Sequence, residues 1–364
     1  MLPLFLSLFA CSNSSDVVPS AVAQPIPAVG ATTSWTAPTG NNIRVDMLDV
    51  GQGDSILIRT PTKTILIDAS EGVADVDDKL RALGVQGIDL AVATHPHADH
   101  IGGMDDVVRA IPIKMYMDNG LPHDTQTYTR LMSDIESKGI TYRAAVAGTV
   151  INLDLGAKFE VLFPTGNPLT GTRSDLNANS VVTRLSYKDD CFLFMGDAEE
   201  PTERALISRG LGACEVLKVA HHGSEYSSIQ SFLDVVRPDI ALISVGKGNT
   251  YGHPGPSTIS RIQGMGAQIY RTDLQGTITL TTTGSGVRVT TGTIPGVSSG
   301  SGSSAATGSI ATGDCPYFSS GNSEVFHEAS CGQGARILPE KRICYSKRDD
   351  ALKAGKRPGG CCLP

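Results

Sequence analysis

One stretch of this chain constrains its fold and chemistry more than any other. The apolar run 88–93 (IDLAVA) ends directly in Thr94-His95-Pro96-His97-Ala98-Asp99-His100-Ile101-Gly102-Gly103. Three imidazoles and a carboxylate stand within six positions. A buried strand that feeds such a loop delivers several ligands to one point. Imidazole together with carboxylate suits zinc and related divalent ions. A lone histidine here would be read as structural; four ligand groups at this spacing point to metal. Gly102 and Gly103 are expected to let the backbone turn tightly into the next helix.

The flanking pattern is layered α/β. Strands are expected at 43–49, 55–59, 64–67, 88–93, 159–163, 181–187, 191–195, 216–220, 240–245, 268–270 and 277–281, with helices at 75–83, 105–110, 202–208 and 257–263. Polar residues gather where these strands end. Asp197 follows 191–195, His221 and His222 follow 216–220, and His253 lies beyond 240–245.

Read in order, Leu48-Asp49-Val50-Gly51-Gln52-Gly53-Asp54-Ser55, Leu66-Ile67-Asp68, the 95–100 cluster, Ala178-Asn179-Ser180, Met195-Gly196-Asp197, Ala220-His221-His222-Gly223-Ser224 and Gly252-His253-Pro254 form one ordered set. It resembles the metallo-β-lactamase-fold hydrolases, and within them the hydrolase domain of ComEC-type competence proteins. The resemblance covers roughly residues 43–285. It implies an αββα sandwich and two divalent ions, zinc first and manganese second. By the same resemblance His95 and His97 bind the first ion, Asp99, His100 and His253 bind the second, and Asp197 bridges them. Many ComEC-type domains carry Asp where this chain has His97, which tilts the preference toward zinc. Two ions a few Å apart lower the pKa of a shared water from ~15.7 toward ~7.

The remaining roles follow from what the ligand set leaves over. His222 has no ligand vacancy and is expected to stabilise the transition state or protonate the leaving group, working with Asp99. His221 is expected to pack beside it. The family's further histidine is missing between the first motif and Asp197. His123 in that interval reads as a surface residue, so Asn179 or Ser180 is expected to touch bound water or substrate. Asp68, with Asp49, Gln52 and Asp54, either orients ligands or caps turns.

Outside this body the composition changes. Residues 1–11 (MLPLFLSLFAC) resemble a bacterial lipoprotein signal with Cys11 as the lipidated residue, although the usual charged start is missing. Residues 12–41 read as a tether, 42–291 as the hydrolase domain, 292–314 as a Gly/Ser-rich linker and 315–364 as a Cys-rich module. The module carries Asn322-Ser323-Glu324-Val325-Phe326-His327, Cys331, Pro339-Glu340-Lys341-Arg342 and Tyr345-Ser346-Lys347-Arg348. These resemble an Ada-like metal-binding module, which implies zinc at His327, Cys331, Cys361 and Cys362. Its closing P-C-x-x-C is P-G-G-C-C here, and an exported setting equally permits disulfides. Without Cys11 seven cysteines remain, so complete pairing within one chain is impossible.

Charge narrows the partners. The formal net charge of −7 argues against a generic polyanion binder. Residues 336–357, with eight basic against three acidic side chains, are the local exception. No apolar run reaches the roughly 18 residues of a membrane span, so membrane contact is expected through the lipid anchor alone. No obligate protein partner is expected. The leading expectation is an exported bacterial hydrolase, periplasmic or on the outer surface, cutting nucleic acid or another phosphodiester. The alternatives are cleavage of a carbon ester, lactone, amide or cell-surface phosphocholine ester, and a non-catalytic tethered binding protein.

Overall fold

The alternation Ile43-Arg44-Val45-Asp46-Met47 sends one set of side chains to each face of strand β1 (Ile43–Met47). In the computed structural model, which describes residues 37–295, 316–320, 325–328, 342–345, 347–354 and 356–358, both faces are covered. Ile43, Val45 and Met47 enter the core between two sheets. Arg44 and Asp46 face the other way and are equally buried. Asp46 is held there by Arg44 at 2.7 Å and Arg59 at 3.2 Å. Removing one member would leave an unpaired buried charge, at about 3–5 kcal/mol.

The first sheet continues with β2 (Ile56–Arg59), β3 (Thr64–Ile67), β4 (Leu90–Val92), β5 (Met115–Asp118) and β6 (Thr141–Ala144). The second contains β7 (Val150–Asn152), β8 (Lys158–Phe163), β9 (Val182–Tyr187), β10 (Asp190–Phe194), β11 (Val216–Lys218), β12 (Ile240–Ile243) and β13 (Gln268–Arg271). Strands β14 (Thr277–Thr282) and β15 (Val287–Gly292) return to the first sheet, giving the orders β15-β14-β1-β2-β3-β4-β5-β6 and β13-β12-β11-β10-β9-β8-β7. Each sheet is antiparallel through its hairpins and parallel through its crossover strands, β3 to β6 and β10 to β13.

Ile56, Ile58, Ile65 and Ile67 pack between the sheets against Phe159, Val161, Leu185, Phe192 and Phe194. The outer face of the first sheet (Leu57, Leu66, Ala91) takes Val76 and Leu80 from helix Val76–Ala82 and Val107 from helix Met104–Ala110. The outer face of the second (Leu193, Leu217, Ala241) takes Leu206, Phe232 and Ile262 from helices Glu200–Ser208, Gln230–Val236 and Pro256–Gly264. The result is the αββα sandwich that the resemblance implied. Full burial of each such apolar side chain stabilises by about 1.5–3 kcal/mol.

Gly102 and Gly103 form the expected turn between helices Ala98–Ile101 and Met104–Ala110, with φ values of −61° and −100°. They are required by close approach, since a Cβ on Gly102 would lie 2.5 Å from the Ala98 carbonyl oxygen and one on Gly103 2.6 Å from that of Ala69. The cysteines divide differently. Cys191 in β10 and Cys214, just before β11, form a disulfide inside the hydrolase body. In the C-terminal piece β16 (Tyr317–Ser320), β17 (Val325–Glu328), β18 (Arg342–Tyr345) and β19 (Arg357–Pro358) form a four-stranded sheet in the order β18-β16-β17-β19. Phe318, Phe326 and Ala351 are buried there, and Cys344 is disulfide-bonded. His327 lies on β17 beside Phe318. Cys11, Cys331, Cys361 and Cys362 fall outside the described residues.

Candidate metal centre

The cluster forms where the parallel strands of both sheets end. β4 runs into 94–100, β10 into 195–197 and β11 into 219–224. Asp99 and His100 sit on the short helix Ala98–Ile101. His100 Nε2 is 3.3 Å from Asp197 Oδ2 and 3.9 Å from Asp99 Oδ2. His222 Nε2 is 3.3 Å from Asp99 Oδ2 and 3.5 Å from Asp197 Oδ1. One ligand atom from each of these four residues lies within 4.8 Å of all the others.

The ring orientations are fixed from behind. His100 Nδ1 donates to Asp68 Oδ2 at 2.8 Å, and Asp68 also accepts from the Thr94 N–H and hydroxyl, both at 2.7 Å. His222 Nδ1 donates to the Ser244 carbonyl at 2.9 Å, with Asp54 Oδ1 at 3.4 Å. A carbonyl or carboxylate can only accept, so Nδ1 carries the proton and Nε2 is left facing the cluster. The Nε2 atoms of His100 and His222 and Oδ1 of Asp197 are buried without a hydrogen-bond partner. Buried polar atoms are normally satisfied. A divalent cation at this point would satisfy all three, and the donor set is the nitrogen-and-oxygen set that zinc or manganese accepts. The residues therefore fit the metals that the sequence implies.

Charge agrees. Burial disfavours the His100 imidazolium, yet Asp197, Asp68 and Asp99 outweigh it and hold its pKa well above the usual value. His222 behaves alike: burial opposes its charge, and Asp197 and Asp54 raise it to about 10. Burial disfavours the Asp197 carboxylate, but His100, His222 and His221 hold its pKa well below the ordinary range. The carboxylates demand nearby positive charge. Metal binding supplies it and displaces protons.

His95 and His97 form the other side. His95 Nε2 lies 2.9 Å from His97 Nδ1 and 3.9 Å from Asp197 Oδ2. His95 Nδ1 meets the hydroxyls of Thr94 at 3.1 Å and Ser180 at 3.4 Å. Burial first, then the neighbouring His100, pushes the His95 pKa well down, keeping it neutral.

His222, expected beside the ions, has its Nε2 against Asp99 and Asp197 and in one group with His100. The half-buried His253 ring lies 5.4 Å from that of His221 and 6.5 Å from that of His222. Burial and those two rings lower its pKa to about 4. His221 does more than pack: Nε2 is 3.7 Å from Asp197 Oδ2 and Nδ1 3.5 Å from Glu199 Oε1. Both His221 and His222 have left-handed backbone, φ 51° and 53°. Such strain costs about 1–3 kcal/mol per residue and persists where the surroundings over-determine it. Asn179 is turned away, its amide spent on the Leu169 N–H and on the carbonyls of Leu169 and Asp175. Ser180 accepts from the Asp197 N–H at 3.2 Å and so positions that carboxylate. His123 bonds Thr125 at 2.9 Å. Of the four carboxylate and amide candidates, Asp54 and Asp68 orient ligands. Asp49 accepts from the Gly51 N–H at 3.4 Å and Gln52 from the Gly246 N–H at 3.2 Å, so both tie loops.

Sequence reasoning missed Lys218 and Glu199. Lys218 is buried at the end of β11, ion-paired with Asp54 and donating to the Gly196 carbonyl at 3.3 Å. A lysine inside an apolar strand, directly before the His221-His222 pair, was the available signal.

A family model described as the metallo-beta-lactamase superfamily matches residues 48–247. The chain belongs to that superfamily, and its fold and site together define a metallo-β-lactamase-fold hydrolase. Three curated relatives narrow the likeness. The chain is 27% identical over 257 residues to ComE operon protein 3 of Bacillus subtilis, covering 64% of this chain and 32% of the relative. It is 30% identical over 243 residues to competence protein ComA of Neisseria gonorrhoeae, covering 65% and 32%. It is also 30% identical over 243 residues to recombination protein 2 of Haemophilus influenzae, covering 65% and 28%. The chain thus spans about a third of the length of these relatives. Among the described residues no helix is long and apolar enough to cross a membrane.

Proposed function

We propose that this chain is an exported, metal-dependent phosphodiesterase that cuts nucleic acid. The observation that carries hydrolysis is the convergence of the unpaired His100 and His222 Nε2 atoms with the Asp99 and Asp197 carboxylates. The choice of a phosphodiester is supported by the similarity to proteins named for competence and recombination. Divalent ions bound there supply Lewis acidity and a water of lowered pKa.

The chain's own residues divide the remaining work. Asp99, His100, His222 and Asp197 hold one ion, and His95 and His97, with Asp197 shared, hold the other. Asp68 locks the His100 ring and the Ser244 carbonyl the His222 ring, with Asp54 beside it. The half-buried, neutral His253 ring offers an imidazole nitrogen that would accept a hydrogen bond from substrate or water beside His221 and His222. The Cys191–Cys214 disulfide supports an oxidising compartment, in keeping with an export signal and a lipid anchor at Cys11. The basic stretch 336–357 holds the substrate backbone near the catalytic body.

The test is an activity panel on the full-length protein with zinc or manganese. It uses single-stranded DNA, duplex DNA, RNA, bis-p-nitrophenyl phosphate and a lactone. Phosphodiester cleavage that disappears in Asp197→Ala is expected. Lactone cleavage with every phosphodiester left intact would overturn the reading.

A further inference from the structure

The loop 246–253, which leaves β12, carries a feature that the hydrolytic chemistry does not use. One side chain fixes this loop. Asn249 Nδ2 donates to the carbonyls of Gly246 at 3.0 Å and His253 at 2.7 Å, and its Oδ1 accepts from the N–H groups of Tyr251 and His253, both at 3.1 Å. The loop so pinned stacks the Tyr251 ring on His253, with centroids 6.0 Å apart and planes 17° apart. His253 in turn lies 6.5 Å from the ring of His222. A line of rings therefore runs from the surface to a metal-facing imidazole.

Tyr251 is 62% exposed. Tyr226 differs. It is 55% exposed, but the Arg173 guanidinium lies 3.5 Å above its ring, and Arg173 is 3.7 Å from Glu199, the carboxylate beside His221. That side presents a cation, whereas the Tyr251 side presents a bare, rigidly held aromatic face. A scattered exposed tyrosine needs no explanation; one on a loop that Asn249 pins with four hydrogen bonds, its ring stacked on His253, does.

We propose that Tyr251 is a stacking platform for an unpaired nucleobase adjoining the phosphate bound at the metal centre. The proposal rests on the phosphodiesterase reading above and names the substrate feature that the site selects. An aromatic shelf accepts any base, because every base has a π-face, and it requires the base to be unpaired and splayed from its neighbours. Single-stranded substrate is therefore preferred over duplex.

The experiment compares full-length wild type, Tyr251→Ala, Tyr251→Phe and Tyr251→Trp on two substrates of equal length, an oligothymidylate and the same backbone built from abasic residues. The readout is the ratio of kcat/KM values, base-bearing over abasic. Stacking of one base is worth roughly 5- to 150-fold. Wild type is expected to favour the oligothymidylate by about tenfold. Tyr251→Ala is expected to bring the ratio close to unity, mainly through KM. Phe is expected to keep the ratio and Trp to raise it, and these two carry the test if the alanine variant fails to fold. Cleavage of both substrates with one ratio across all four proteins would overturn the platform and leave the phosphodiesterase reading standing. Cleavage of neither substrate, by any of the four, would overturn both.

Discussion

The two sides of the metal centre are built from different materials. On one side His100 is backed by the buried Asp68 carboxylate, and His222 by the Ser244 carbonyl with the buried Asp54 carboxylate 3.4 Å away, itself anchored by buried Lys218. On the other side His95 is backed by two neutral hydroxyls, and His97 leans on His95. A carboxylate behind an imidazole fixes the ring and raises its basicity as a ligand; a hydroxyl does so more weakly. Were two ions to bind, as proposed, this difference would hold one tightly and the other loosely. It also accounts for the absence of a third histidine on the His95 side, since Asn179 at the matching position serves the backbone instead.

Four substitutions break or sharpen this contrast. Asp197→Ala removes the residue that both sides share. Metal analysis should find both ions lost, with kcat/KM down by about a thousandfold or more, because several kcal/mol of charge stabilisation goes with them. Retained metal would dissolve the idea of one shared carboxylate. His222→Ala acts on the tight side alone, and its metal affinity should fall by more than about a hundredfold, beyond the effect of losing a backing group. If turnover fell while metal content held, His222 would be a proton donor and not a ligand. Asp68→Asn leaves His100 in place but weakens its backing, so affinity for the tight ion should fall by about 10–100-fold in a competition titration with a chelator. Ser180→Ala removes the hydroxyl that meets His95 Nδ1 and accepts from the Asp197 N–H, neutral hydrogen bonding worth about 1 kcal/mol, and should lower activity about fivefold. An Asp68→Asn effect no larger than that of Ser180→Ala would erase the asymmetry.

The parts of the fold that read clearly from sequence are those whose pattern is set by burial. β1, β2, β3, β10 and β11 carry apolar alternation or apolar runs because both of their faces are covered. Between residues 111 and 158 that signal fades. All four residues of β6 are exposed, and it is a strand because it pairs in register with β5, Met115 opposite Thr141. In helix Gln126–Ser137 the buried positions are Leu131 and Ile135, too few for a visible apolar stripe. The site was legible as a set of residue types and illegible in direction. His221 and His222 are neighbours of one chemistry, and the left-handed backbone at both positions decides which ring faces Asp99. The His253 ring, on a loop pinned by Asn249, stands 5.4 Å from that of His221 and 6.0 Å from that of Tyr251, an orientation motif order does not give. Glu199 acts through a contact between distant strand ends that no local pattern announces, whereas Lys218 stood out only as a charge inside an apolar strand.

The central claim is that a tight and a loose metal position share Asp197. The most direct measurement is a calorimetric zinc titration of metal-free full-length protein, beside the His97→Ala variant. The account predicts two steps in the wild type, the first completed near one equivalent and the second at least about tenfold weaker. It predicts that His97→Ala abolishes the second step and leaves the first. Two indistinguishable steps in the wild type, or loss of the tight step in His97→Ala, would contradict it.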